Sequence, residues 1–322
     1  MWTYVLRRTL YNIPIFLGII LILMALLRIN DPVYAQLSKN ATVDEIEQKR
    51  IELGTDRPFL VQYGEFLLDI VTFDFSDRSW YAESLTVGQV IGPSIVPSLA
   101  ITLPALALSA TLSIGIGLIS AAHRGRLVDR TLVLLAVLGM SVSFLVFIIL
   151  GQYFGAYWLS QELGIELFAV QGYEGYGAAN LPVNWAHYCL LPVLISVVVT
   201  MGYDTRFYRS VIVEQTGADY IRTARAKGCS QRQIMLKHLL RNALIPIITR
   251  IMITLPFVVV GSLLLEVYFG IPGMGRTLYT HIINKDFPVT QAIVALLAAI
   301  FIATNILTDV LYALVDPRVR LS

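Results

Sequence analysis

The stretch YIRTARAKGCSQRQIMLKHLLRNALIP, Tyr220 to Pro246, decides how this chain is read. It carries six basic residues, Arg222, Arg225, Lys227, Arg232, Lys237 and Arg241, and no acid. It reads as two short helices. Thr216 with Asp219 is placed to cap the first, roughly 217–227, and Gly228 to end it. Ser230 with Gln233 forms a capping box for the second, so Gly228-Cys229 is a sharp corner. Thr223, Ala224 and Ala226 are small, and no large apolar face is expected on the first helix. A segment of this kind is suited to being held by a partner, helix in groove. The competing reading is ordinary positive-inside topology, each basic residue contributing about 1 kcal/mol against anionic lipid. That accounts for the charge but not for two capped helices around a fixed glycine.

On either side of the stretch lie runs of almost pure hydrocarbon. Of 322 residues only 14% are charged and 56% are hydrophobic. A soluble domain has about 25% charged residues, so the chain reads as a polytopic membrane protein. About 20 apolar residues cross the hydrocarbon core. Six segments qualify: roughly 10–27, 96–121, 131–158, 188–204, 243–269 and 289–315. The first follows Arg7 and Arg8, but its apolar run exceeds a signal-peptide core and is expected to be an anchor. The fold class is therefore an all-α membrane bundle with six transmembrane helices.

Loop charges alternate along these spans. Arg7 and Arg8, HRGRLVDR (His123–Arg130), the opening stretch and the tail DPRVRLS are basic and expected on the cytoplasmic side. Residues 31–95 are acid-rich and 157–187 hold Glu162, Glu166 and Glu174 without Lys or Arg, so both are expected outside, as is 270–288. The chain divides into a tail and first span (1–28), an external loop (29–95), a five-helix core (96–316) with a cytoplasmic loop at 205–243, and a tail (317–322). Both termini are expected in the cytoplasm. Cys189 and Cys229 then fall on opposite sides and are not expected to pair. Within the external loop, Thr42 and Glu45 form a capping box and Gly54 is placed to end that helix. Phe59, Leu60, Tyr63, Phe66, Leu67 and Ile70 then share helical spacing, predicting an amphipathic helix on the outer surface or against the bundle.

At this point the residues carry a resemblance. DYIRTARAKG followed by LLRNALIP is similar to the cytoplasmic loop of bacterial ABC importer permeases. Together with YVLRRTLYNIPIFLGI near the start, LGTDRPFLVQY (Leu53–Tyr63), LEVYFGIPGMGRTLYTHIINKDFPV (Leu265–Val289) and DVLYALVDPRVR (Asp309–Arg320), it resembles the dipeptide/oligopeptide/nickel family. Within that family the likeness is to the first, B-type, permease subunit. The general importer loop has Glu-Ala-Ala, then Gly, then Ile-x-Leu-Pro. Here Arg222-Thr223-Ala224 takes the first places, Gly228 matches the glycine, and His238-Leu239-Leu240-Arg241 stands where the last motif falls. No role that needs the missing glutamate carries over.

The resemblance implies a type I importer fold in the bacterial inner membrane. It implies that the first helix is a coupling helix held by a cytoplasmic ATPase subunit. Tyr220, Thr223, Ala224 and Lys227 follow i, i+3, i+4, i+7 spacing, and with Arg222, Arg225 and Gly228 they are the expected contact. Ala224→Trp is expected to uncouple hydrolysis from transport. The implied partners are two ATPase subunits that bind ATP and Mg, a second (C-type) permease, an external substrate-binding protein and the bilayer; no nucleic acid is implied. Peptides are the expected substrate and nickel chelates the alternative. An ion-coupled secondary transporter, from a different class, is expected to show inverted repeats and midplane charges, and neither is evident.

No chemistry of its own is expected. The chain lacks Gly-Lys and hence a phosphate loop, and it lacks HExxH and GxSxG. GIPGMG (Gly270–Gly275) is expected to be a turn or re-entrant element. His123, His187, His238 and His281 are scattered, so neither a catalytic set, a resident cofactor nor a metal is expected. Ionisable residues in spans are functional candidates, set against helix-end salt bridges. Glu266 and Asp309 are the candidates for the translocation path, with Asp204, Arg206, Arg209 and Arg250 near helix ends. Pro104, Pro192 and Pro256 lie in spans, and Pro104 and Pro256 are candidate gate hinges against static kinks. GQYFG (Gly151–Gly155) fits small-xxx-small packing.

Overall fold

The structure, a computed structural model, describes residues 2–29, 33–37, 41–164, 166–174 and 181–315. The expected tail at 317–322 and part of the expected outer loop at 175–180 lie outside the described residues. Among the described residues, six helices are long and apolar enough to cross a membrane: Arg7–Leu27, Val87–Ala122, Phe144–Glu162, Pro182–Gln215, Gln231–Val258 and Phe287–Tyr312.

The elements run in this order. The first helix, α1 (Trp2–Leu27), is followed by the short α2 (Val33–Gln36), α3 (Val43–Glu52) and α4 (Phe59–Thr72). Then come the long α5 (Val87–Ala122), α6 (Leu127–Ser141) and α7 (Phe144–Gln152), which passes through a π turn (Tyr153–Trp158) into α8 (Leu159–Leu163). The second half holds α9 (Leu181–Gln215), α10 (Asp219–Ala226), α11 (Gln231–Gln233), a second π turn (Ile234–Leu239) and α12 (Leu240–Val260). It closes with α13 (Leu263–Tyr268), α14 (Met274–Ile283) and α15 (Phe287–Val315).

Two spans differ from their sequence reading. The run 131–158 is not one helix: Val142 and Ser143 are extended, with ψ of 135° and 140°. Ser141 donates its hydroxyl to the Val137 carbonyl, a local bond that competes with the helical ladder. The run 243–269 also breaks, at Gly261 (φ +78°), while its helix starts earlier, at Gln231. The cause of the Gly261 break is a buried side chain described below.

The centre of the bundle is the packing of α5 on α9. Glycines allow close approach there: a Cβ on Gly117 would stand 3.2 Å from the Arg209 backbone nitrogen. On the other flank of α9, Gly202 faces the Ala136 carbonyl at 2.9 Å from its would-be Cβ. Gly151 and Gly155 lie on Ile195 and Leu191, so GQYFG is a helix contact with α9. Cores cluster at the two ends of the bundle. One, near α13 and α14, joins Ile101, Ile148, Cys189, Leu191, Leu265 and Phe269; the other, near α10, joins Tyr208, Ile212, Ile221, Leu239 and Ile247. Cys189 and Cys229 are free and belong to different clusters.

The α14 end also carries the folded loop. Thr42 and Glu45 form their reciprocal cap, and Gly54 (φ +65°) follows the end of α3. Helix α4 lies against the bundle: Phe59, Tyr63, Phe66, Leu67 and Ile70 pack on Ile20, Met24 and Ala295. The Tyr63 hydroxyl donates to the Leu17 carbonyl (2.9 Å). Leu60 points away and is 73% exposed.

Candidate functional site

Helix α10 forms at a corner that its neighbours fix. Its N-cap is Ala218, without a side-chain cap. The expected Thr216–Asp219 cap is absent, because the Thr216 hydroxyl donates instead to the Val213 carbonyl (2.7 Å). Asp219 opens the helix and favours its positive end. At the other end Gly228 (φ +77°) donates to the Arg225 carbonyl and Cys229 N–H to that of Ala224, a Schellman closure. Ser230 and Gln233 cap the next helix reciprocally, at 3.3 and 3.0 Å.

The faces of α10 correct the sequence reading. Ile221 and Ala224 are 1% and 5% exposed and sit on Tyr208, Ile212, Ile234, Met235 and Leu239. Tyr220 is half-buried and donates its hydroxyl to Gln215 (2.8 Å). The stripe Tyr220, Thr223, Ala224, Lys227 is therefore not one surface: Tyr220 and Ala224 hold the helix to its own bundle. The free surface is Arg222, Thr223, Arg225, Ala226, Lys227 and Gly228, all exposed. Ile221, overlooked in the spacing argument, supplies the apolar face the sequence reading denied to this helix. Its burial contributes about 2 kcal/mol. Ala224→Trp would overfill this packing, so it is not a clean test of contact with a partner.

The cluster beneath α10 is braced by a polar node. Asp129 accepts two bonds from the Arg209 guanidinium (2.7 and 2.8 Å), one from Gly125 N–H (2.8 Å) and one from the Ser120 hydroxyl. The Arg209 bonds, foremost, hold its carboxyl well below the usual carboxylate range, against the effect of burial. The node ties the end of α5, the start of α6 and α9 together. Arg250 and Asp204 pair at 2.9 Å, and Arg206 reaches the Met140 sulfur. These helix-end charges are braces between helices.

The candidates for a path fall similarly. Asp309 pairs with Arg8 at 3.1 Å, joining the last helix to the first. Glu266 is 0% exposed and bonded on all sides within the chain, so the structure does not place it on an open path. Helix α5 runs unbroken through Pro104. The carbonyl that Pro104 leaves without its helical N–H is that of Ala100, and Trp185 Nε1 donates to it (2.9 Å). Helix α5 is thus tied to α9 at the turn before Pro104. Pro256 is buried inside α12, five residues before the break at Gly261.

Two features at the α14 end were not legible in the sequence. Asp286 accepts from Ser79, from Trp80 and Tyr81 N–H (both 3.2 Å) and from His281 Nδ1 (2.7 Å). Burial opposes its ionisation, but the His281 and Ser79 bonds prevail and hold it below the usual range. The second is a cavity of about 760 Å³ between the folded loop and the bundle. Its wall includes Glu65, Asp69, Asp77, Arg28, Trp80 and Phe287. Burial, then the neighbouring acids, raises the carboxyls of Asp69 and Asp77. Among the described residues no His, Cys, Asp or Glu group is arranged for a metal ion.

Comparison with known proteins follows this geometry. The bundle superposes on an inward-facing methionine ABC transporter, MetNI, with a TM-score of 0.54 over 70% of this chain and 96% of that one, at 18% identity. The fold is thus that of a type I importer permease. The model for "Binding-protein-dependent transport system inner membrane component" matches residues 113–321, and its N-terminal companion matches 1–92. The chain belongs to this family of binding-protein-dependent inner membrane components, and is a multi-pass inner membrane protein. It is 32% identical, over 99% of both chains, to a Brucella abortus (strain 2308) protein named for a peptide transport system permease. It is 33% identical, again over 99% of both, to the glutathione transport system permease protein of Salmonella typhi.

Proposed function

We propose that this chain is the B-type permease subunit of an ATP-driven peptide importer, and that α10 is where its ATPase docks. The observation that carries the reading is α10 itself: a corner fixed by Gly228, bolted to the bundle by Ile221 and Ala224, with its basic face turned outward. The ATPase subunits, two per complex, bind ATP and Mg; this chain holds no cofactor and performs no hydrolysis. Arg222, Thr223, Arg225, Lys227 and Gly228 form the contact, with Ala226 added and with Tyr220 and Ala224 acting from behind. A C-type permease completes the pathway and an external binding protein delivers substrate at the α14 end. The α10 end and both termini are cytoplasmic. Closure of the ATPases moves α10, and alternating access follows. The relatives named for peptides and for glutathione, itself a tripeptide, favour peptides over nickel chelates, and the family favours an importer over an ion-coupled transporter.

The test is purification of the tagged chain in mild detergent and identification of what comes with it. Two ATPase subunits and a second six-span permease are expected. A homo-oligomer without an ATPase overturns the reading.

A further inference from the structure

Glu266, like Asp286, is a carboxylate with no exposed surface, and it is bonded on both sides by its own chain. It accepts the Ser98 hydroxyl of α5 (2.6 Å) and the Arg276 N–H in the first turn of α14 (2.8 Å). Ser98 in turn accepts Met274 N–H (2.7 Å). The Ile271 N–H closes onto the Glu266 carbonyl (2.8 Å). Three glycines leave room for the group. A Cβ on Gly261 would lie 1.7 Å from Oε1, one on Gly273 2.3 Å from Cδ, and one on Gly275 3.1 Å from Oε2. One carboxylate thus explains the break after α12, the GIPGMG turn and the start of α14. The adjoining α12 end is bonded to the same helix, because the Thr102 hydroxyl donates to the Val258 carbonyl (2.5 Å).

We propose that Glu266 is a positioning residue that welds residues 261–276 into a rigid cap seated on α5 through Ser98, so that cap and α5 move as one body during transport. The weld joins the consecutive α13 and α14 to a helix far away in sequence, with Ser98 and Glu266 separated by 168 positions. Ser98 is 22 residues from Ser120, or roughly 33 Å along the helix. Ser120 belongs to the Asp129–Arg209 node beside α10. A single helix is therefore anchored to one buried carboxylate at Ser98, within its first half, and to another at Ser120, in its last turn, and it carries movement of the α10 end to the cap.

The inference rests on the importer reading for its transport consequence, but the weld can be tested alone. Spin labels are placed at Val96 on α5 and Tyr279 on α14, both exposed, in a background carrying Cys189→Ala and Cys229→Ser. Their separation is measured by electron–electron resonance in the whole purified complex, without nucleotide and after trapping with ATP and vanadate. The expected wild-type result is one narrow distance, the same in both states. Glu266→Gln keeps the shape and remains narrow; Glu266→Ala becomes broad and loses transport while retaining ATP hydrolysis. Ser98→Ala gives the same comparison if Glu266→Ala does not assemble. A wild-type distance that shifts on trapping, or an alanine variant as narrow as wild type, overturns the proposal. If Glu266→Gln lost transport with the cap still rigid, the carboxylate would be acting on substrate and the positioning role would also fall. Absence of ATP hydrolysis in the wild-type complex removes the importer reading, whereas the nucleotide-free comparison still decides the weld.

Discussion

At the scale of single residues, this molecule depends on a few carboxylates taken out of solvent and fully bonded. A buried group of this kind is costly to leave half-satisfied. Asp129 is an example outside the spans. Asp129→Asn keeps the volume and removes the charge that Arg209 faces, a loss on the order of 3 kcal/mol. Because the folded carboxyl is depressed, its stabilisation is present above the ordinary carboxylate range and is lost as pH falls through the folded value. Thermal unfolding in detergent should show a constant gap between wild type and variant from about pH 6 to 8, closing below about pH 4. A gap that grows in acid contradicts the assignment. The glycines around Glu266 give a second prediction. Gly261→Ala meets both a left-handed φ and an occupied space, and should cost more than about 2 kcal/mol. Gly115→Ala in α5, where nothing lies within 4 Å, should be neutral or slightly stabilising in the same assay.

At the scale of elements, α10 separates what a sequence shows from what it hides. Local chemistry was readable: the Thr42–Glu45 and Ser230–Gln233 boxes and the Gly228 corner depend on residues within a few positions of one another. So was the apolar face of α4. The inward face of α10 was not, because a single isoleucine among charges gives no periodicity, and only the pocket formed by Tyr208 and Met235 tells which way it turns. The break at Gly261 was hidden for a similar reason, since its cause, Glu266 against Ser98, is a tertiary contact. The inverted charge Arg222→Glu with Arg225→Glu lies wholly on the exposed face. It should leave the fold and the partner permease in place while lowering transport per ATP hydrolysed at least about tenfold, as for contacts that dominate an interface. Ala226→Trp should act likewise through size. Ala224→Trp should instead lower thermal stability, and finding the reverse ranking would mean the helix docks by its other face.

At the scale of the whole molecule, the six spans and the type I importer fold were legible from hydrocarbon runs and from five ordered stretches of resemblance. The two ends of the bundle were distinguishable by charge. The cavity beside α4 was not, because its wall is drawn from α3, α4, α5 and α15 together. The two-ended arrangement makes a simple prediction. Arg232→Cys, near α10, should react with a membrane-impermeant maleimide only in inside-out vesicles, and Ile283→Cys, on α14, only in right-side-out ones. Both positions are exposed, and labelling of both from one side would remove the assigned orientation.

The π turn at Ile234–Leu239 has a consequence for chain length. A π turn holds one residue more than the α-helix around it. Deleting Lys237, an exposed position within it, lets the turn relax to ordinary α geometry with both flanks still in phase. The same deletion in the regular part of α12 rotates every later side chain by about 100°. The link between the α10 corner and the membrane thus carries one spare residue, and homologous chains differing in length by one position there can keep the same span in register.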